Sequence, residues 1–234
     1  MKFIINEKIF NTFPGLHIGV IIAKGINNEE SSEDIERMAR EEEARIRGEF
    51  SIDKLSQHPK IEAWRKAYQV FGAKPKEHRS SVENLYRAVL GGKSVRHINT
   101  LVDIYNLISL KYILPVGGED IDKVKGDIVL TFAGANEPPA LLLGDKEPRP
   151  PHEGEVIYRD DISAICRRWN WREAKRTKLT EGTKNSILVI EGLPPVTRDE
   201  IETATKELAK LVKQYCQGEI KYHILHHSAP SLSM

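Results

Sequence analysis

Short runs of β-branched residues alternate with longer stretches whose apolar positions recur at helical spacing. Phe3 to Phe10 reads as an edge strand, and His17 to Ala23 as a strand by its β-branched content. Ser31 and Asp34 have the spacing of a capping box, and Ile35, Met38, Glu42 and Ile46 continue as a helix with a narrow apolar stripe. Pro59 opens another helix, in which Ile61, Trp64, Tyr68 and Phe71 fall at helical spacing and Gly72 marks the end. Core packing is the plain reading of Trp64 and Tyr68. Ser81 caps a third helix, with Val82, Leu85 and Val89 inward and Gly91-Gly92 as its stop. Thr100 to Tyr112 is apolar on most sides, which predicts a buried helix.

Beyond Pro115-Val116-Gly117-Gly118 the pattern changes to short strands between turns. Ile128 to Phe132, Ala140 to Leu143, Glu155 to Tyr158, Ile162 to Cys166 and Ser186 to Glu191 are the candidates. Thr197 and Glu200 form a second capping box. Ile201, Ala204, Leu208, Leu211, Val212 and Tyr215 follow at helical spacing up to Gly218, and Glu219 to Leu225 makes a last strand. Ser228 to Met234 reads as a disordered tail. Helices dominate the first half and strands the second, so the expected class is α+β rather than doubly wound α/β. Glu147-Pro148-Arg149-Pro150-Pro151 is a stiff loop rather than a linker, so residues 1–234 read as a single domain.

Composition sets outer bounds. The chain has 234 residues, 40% hydrophobic and 29% charged, which suits a soluble globular protein with a sizeable core. Its two cysteines, Cys166 and Cys216, lack metal-ligand spacing and fit a reducing compartment. No apolar run approaches membrane-spanning length and the N-terminus lacks a signal-peptide pattern, so a cytoplasmic location without membrane contact is expected. The net charge of +1 is uninformative, but its distribution is not. Acids dominate from Glu29 to Glu49, whereas Arg167 to Lys178 carries six basic residues against Glu173 alone. Lys74, Lys76, His78 and Arg79 make a second basic stretch. Such stretches are either solvated faces or seats for a polyanion.

Candidate chemistry gathers in two polar–aromatic segments, Asn99 to Asn106 and Cys166 to Glu173. Asn99, Asp103 and Asn106 would share one face of a helix. Flanked by Leu101, Val102, Ile104, Leu107 and Ile108, that face would be half-buried, and buried polar groups need partners that a ligand could supply. Cys166 beside two arginines is either a thiol of lowered pKa or a packing residue. His223, His226 and His227 alternate poorly on a strand and lack accompanying carboxylates, so they read as a surface cluster. No metal or other cofactor is expected. Phosphate loops, Ser-His-Asp order and nucleotide-binding fingerprints do not occur.

Val102-Asp103-Ile104-Tyr105-Asn106, then Pro115, Asp120-Ile121-Asp122 and Gly126-Asp127-Ile128-Val129-Leu130, resembles the B3/B4 editing domain of phenylalanyl-tRNA synthetase β subunits. That family's pattern is roughly Val-Asp-x-Thr-Asn, a Gln-Pro-x-His turn, then an Asp and a strand. Asp160 to Leu193 extends the likeness, with Glu173, Thr183 and Glu191 at positions of a Glu, a Thr and a Glu. The likeness covers most of residues 60–193, leaving 194–226 as a closing helix and strand. With no aminoacylation domain, the chain is similar to the free-standing B3/B4 proteins. That resemblance implies a three-layer fold, with a β-sandwich and a helical layer. It also implies a deacylase that acts in trans, with misacylated tRNA as partner.

An aminoacyl ester is already activated, so such a site must hold it, orient a water and stabilise the oxyanion. By resemblance, Asn106 would orient water or carbonyl. Glu191 would pair with the α-ammonium or accept a proton, and Asp103 would fix Asn106 or bind the ammonium. Asn99, Gly117, Trp169, Trp171, Glu173 and Thr183 would line the substrate site, with Trp169 or Trp171 stacking on the terminal adenine. Arg79, Arg167, Arg168, Arg172, Lys175, Arg176 and Lys178 would meet the phosphates. Each has a plainer role open to it, as a cap, a cross-link or a surface charge. Two departures stand out. Gly117 replaces the family's turn His, and Arg167-Arg168-Trp169-Asn170-Trp171-Arg172 replaces a glycine-rich turn. Two tryptophans there would fill or reshape the pocket and favour an amino acid smaller than tyrosine. The alternative function is a tRNA- or nucleic-acid-binding module without chemistry, and a third is a hydrolase of free small esters or D-aminoacyl species. The cognate tRNA, the amino acid and the oligomeric state stay open.

Overall fold

A strand that is apolar on consecutive positions must be covered on both faces, and His17–Lys24 is such a strand. The computed structural model describes residues 1–28 and 33–234. In chain order it runs β1 (Lys2–Ile5), α1 (Glu7–Thr12), β2 (His17–Lys24), α2 (Glu33–Glu49), α3 (Pro59–Val70), α4 (Ser81–Leu90) and α5 (Thr100–Tyr112). There follow β3 (Val116–Asp120), β4 (Ile128–Phe132), β5 (Val156–Arg159), β6 (Ala164–Arg167), β7 (Arg172–Glu173), β8 (Asn185–Gly192), α6 (Arg198–Cys216), β9 (Glu219–Leu225) and β10 (Ser231–Ser233).

Two sheets form, one in the order β3-β8-β2-β9 and one in the order β10-β1-β4-β5-β6-β7. β2 sits inside the four-stranded sheet. Its Ile18, Val20 and Ile22 meet Ile5, Leu130, Val156 and other apolar residues of the six-stranded sheet. Its Ile21 and Ala23 meet Ile104 and Ile108 of α5 and Ala204 and Leu208 of α6. The result is an α+β fold in three layers, a sandwich of two sheets with helices over the outer face of one. Gly19 permits the close approach of α6, since a Cβ there would stand 1.9 Å from Thr205 Oγ1.

Several expectations need correction. The segment from Phe3 does not continue as strand to Phe10. Asn6 accepts a hydrogen bond from Lys8 N and starts α1, and β1 lies between β10 and β4 rather than at an edge. Ala140 to Leu143 contributes isolated bridges to Arg149 and Ala174, not a strand. Pro138 and Pro139 precede it and lack the N–H groups a ladder requires. Val116–Asp120, read as part of a turn, is an edge strand antiparallel to β8. Tertiary pairing there overrides the poor strand propensity of Gly-Gly-Glu-Asp. Ser80, not Ser81, caps α4 by accepting from Glu83 N. The capping role given to Ser31 lies outside the described residues. Ser228 to Met234 is ordered: β10 pairs with β1, and Leu232 is buried in the inter-sheet core.

That last point is testable. Leu232→Ala is expected to destabilise the protein by roughly 2 kcal/mol, the low end for a buried leucine. Urea unfolding with an unchanged midpoint would show that the last strand contributes nothing.

Candidate active site

β3 supplies the geometry that opens a site. Its Gly118 is packed tightly, for a Cβ there would meet Leu188 Cδ2 at 2.4 Å. On the neighbouring position Gly117 leaves space, with Glu173 Oε1 3.2 Å from where its Cβ would be. A cavity of about 360 Å³ fills this region between the two sheets. Phe3, Leu85, Val116, Ile128, Leu143, Ile165, Ile187 and Val189 make its apolar walls. Asn106, Glu119, Glu173, Glu191, Tyr105, Tyr158, Cys166 and Asn170 supply the polar atoms.

Three carboxyls share this space under different conditions. Glu191 Oε1 accepts from Trp169 Nε1 at 2.7 Å and from Tyr158 Oη, and its Oε2 accepts from Asn170 Nδ2 at 2.7 Å. Burial pushes its pKa up to about 7 in spite of these three donors. Glu173 accepts a single long bond, 3.4 Å from Gly118 N, and burial lifts it to about 7 as well. Glu119 is pushed well above the ordinary carboxylate range, first by burial and then by the charge of Glu173. Among the described residues its Oε2 is buried without a hydrogen-bond partner, and only the nearby Thr177 hydroxyl and the Arg176 charge pull its pKa back in part. Cys166 is also raised by burial, which removes the reading of an activated thiolate.

The Asn99–Asp103–Asn106 face separates in the structure. Asn99 is the N-cap of α5, in extended backbone, and its side chain accepts from Val102 N at 3.1 Å. It therefore stands off the helical face the spacing predicted. Asp103 accepts from Ile98 N at 3.1 Å, pairs with His97 Nδ1, and faces a smaller cleft. Asn106 lines both that cleft and the large cavity. Among the described residues its amide has no hydrogen-bond partner. Thr183 donates to Asp120 Oδ2 at 2.8 Å within a buried turn and does not line the cavity.

The tryptophan turn is built on left-handed backbone, with φ of 46° at Arg168 and 64° at Trp169. That conformation is costly for residues other than glycine. Trp169 N donating to Val156 O at 2.7 Å and Arg168 N to Glu155 Oε1 at 3.0 Å hold it. Trp169 is fully buried between Phe13 and Trp64, so it cannot stack on a nucleotide base. Trp171 lies at the cavity rim, and the guanidiniums of Arg168 and Arg172 stand 4.5 and 4.3 Å from its ring centroid.

The basic run is not one exposed face. Arg167 is buried and grips Glu155 through two bonds of 2.8 and 2.7 Å. Arg168 is buried too. Arg172 pairs with Asp145 and Arg176 with Asp160, each at 2.8 Å. Lys175 is exposed and Lys178 half-buried, and neither joins an ion pair among the described residues. Arg79 stands 3.7 Å from buried Glu83, which Arg65 and Arg87 also hold. Glu119, Tyr158 and Asn170 were not anticipated as site residues. Reading β3 as a strand would have put Glu119 on the face of Gly117 by simple alternation.

The fold is thus an α+β sandwich with a cavity between its sheets that is mainly apolar and carries three carboxyls. Residues 63–217, about two thirds of the chain, match the B3/4 domain, and the chain belongs to the B3/4 domain family. It is similar to the phenylalanine–tRNA ligase beta subunit of Leifsonia xyli, with 31% identity over 103 residues, 44% of this chain and 12% of that protein. The corresponding subunit of Fusobacterium nucleatum is 30% identical over 111 residues, 47% of this chain and 13% of that protein. The matched stretch is thus about an eighth of the length of these relatives. The solved N-terminal fragment of the phenylalanyl-tRNA synthetase beta-subunit from Pyrococcus horikoshii aligns with 93% of this chain and 49% of its own. The TM-score is 0.46 and the identity 14%. Among the described residues no helix is long and apolar enough to cross a membrane.

A carboxyl whose pKa is raised on folding binds more protons in the folded than in the unfolded state. Stability therefore falls as pH rises from the ordinary 4.5 to about 7, and the full penalty is present above that. Glu173→Gln removes it. The variant is expected to melt higher than the parent above neutrality, by on the order of 1 kcal/mol, with the gain fading toward acid pH. Melting curves that run parallel across this window would contradict the pKa assignment.

Proposed function

We propose that this chain is an aminoacyl-tRNA deacylase that hydrolyses the ester of a misacylated tRNA in trans. The observation that carries the reading is the amide of Asn106, unpartnered among the described residues, on the wall of a cavity that also holds carboxyls whose pKa burial pushes up to about 7. Membership of the B3/4 domain family and similarity to tRNA ligase subunits support the same substrate class.

In this reading the amino acid enters the cavity and the terminal ribose stays at the mouth, beside Trp171 and Arg172. Water adds to the ester carbonyl carbon. Asn106 Nδ2 donates to the carbonyl oxygen as negative charge develops there. Glu191 takes the proton of the attacking water. A carboxylate offers about four acceptor positions, and three donors leave one of them free. A pKa of about 7 suits both its protonated and its ionised state at neutral pH. The bond between acyl carbon and ribose oxygen then breaks, and that oxygen takes up the proton. The products are the free amino acid and the tRNA hydroxyl. Arg172, Lys175 and Lys178 serve the phosphates near the mouth, while buried Arg167 and Arg168 serve the fold.

Deacylation of matched and mismatched aminoacyl-tRNAs tests the reading. At least one mismatched species is expected to turn over. Asn106→Ala is expected to slow single-turnover hydrolysis by roughly 10²–10³, the loss seen when one oxyanion donor is removed, with tRNA affinity changed only a few-fold. No turnover with any species, together with retained tRNA binding, would make the chain a binding module.

The RNA contact has its own test. Lys175→Glu with Lys178→Glu is expected to weaken tRNA binding and to flatten the log–log salt slope by roughly 0.7 per lost contact to single-stranded phosphate. Unchanged affinity and slope would send the RNA to the Lys74, Lys76 and Arg79 region.

A further inference from the structure

We propose that Glu119 and Glu173 together form the seat for a primary ammonium group of the ligand, with Asn106 as a third polar contact. This rests on the deacylase reading only in naming that ammonium as the α-amino group of an aminoacyl ester.

The inference comes from a contrast among acids that are buried or, for Glu173, half-buried. Glu43 is held by Arg40 and Arg47, Glu83 by Arg65 and Arg87, Glu155 by Arg167 and Asp160 by Arg176. Glu191 has three neutral donors. Among the described residues the Glu119–Glu173 pair has neither an ion-pair partner nor a full set of donors, with only the Thr177 hydroxyl and the more distant Arg176 charge beside Glu119. Glu119 Oε2 is buried and unpartnered in a residue only 7% exposed. Glu173 receives one bond of 3.4 Å. A protein interior that satisfies its acids so consistently leaves these two open toward a cavity. Gly117 keeps that approach clear, because any side chain there would start 3.2 Å from Glu173 Oε1.

The chemistry of the occupant follows. Two like charges near each other in a site of low polarity each disfavour the other's ionised form, and a cation relieves both. An anion or a neutral ester would leave the carboxyls unrelieved. A metal dication calls for at least three converging protein ligands, and among the described residues no such group forms. A primary ammonium brings three donors to match the acceptors of Glu119, Glu173 and Asn106. The remaining apolar walls suit the side chain of the same molecule.

Titration of the full chain with the amides of the natural L-amino acids, and with the same amides N-acetylated, tests the seat. At least one amide is expected to bind, and its N-acetyl form to bind at least tenfold more weakly. Glu119→Gln and Glu173→Gln are each expected to weaken the amide at least tenfold without lowering thermal stability. Equal binding of the acetylated form, unaltered binding by folded Gln variants, or no binding by any amide overturns the proposal. Should a variant fail to fold, the acetylation comparison on the unaltered protein decides. Hydrolysis of mischarged tRNA that is indifferent to N-acetylation keeps the deacylase and rejects the seat. Amide binding that acetylation abolishes, without any hydrolysis, keeps the seat and rejects the deacylase.

Discussion

A single carboxylate registers the two sheets against each other. Glu191 belongs to β8 in the four-stranded sheet, and it receives Tyr158 from β5 in the six-stranded one. It also receives Trp169 and Asn170 from the turn after β6. The network continues outward, because Tyr68 of α3 donates to Asn170 Oδ1 and Ser81 N of α4 donates to Asn170 O. Burying a carboxylate is costly unless it is fully hydrogen-bonded. Here the cost is offset only if all three donors stand in place, so one buried charge specifies the relative position of sheet, turn and two helices. The inner wall of the cavity is a consequence of that arrangement.

Local signals in the sequence carried much of the fold. The Thr197 capping box and the apolar spacing through Tyr215 located α6, and Thr100 to Tyr112 is α5 to the residue. These are features whose physics is contained within a few turns of chain. The failures share a different cause. Val116–Asp120 becomes a strand only because β8 offers it a partner some seventy residues away. Residues 231–233 become ordered only because β1 does the same from the other end. Neither partner leaves a mark on the local pattern.

The candidate site shows the same division. Asn106 was legible from its place on a half-buried helix. The basic run was legible as charge, but not as a direction, because Arg167 turns inward to a glutamate twelve residues earlier in the chain. Glu191 was legible as a site residue, while its three donors were not. Glu119 leaves no local signal, because Gly-Gly-Glu-Asp has the composition of a turn and only pairing with β8 makes it the strand that aims this side chain. A misassigned element thus hid the acid whose surroundings are least satisfied.

The placement of β1 reaches beyond packing into the order of events during folding. Phe3 lines the cavity, and it is held in register by Ile128 on one side and Leu232 on the other. Both pairings close very long loops, and pairings of that kind form late because their entropy must be met before they stabilise anything. The cavity wall that contains Phe3 is therefore among the costlier parts of the fold to assemble. One wall of the site thus depends on the contacts of highest sequence separation in the fold.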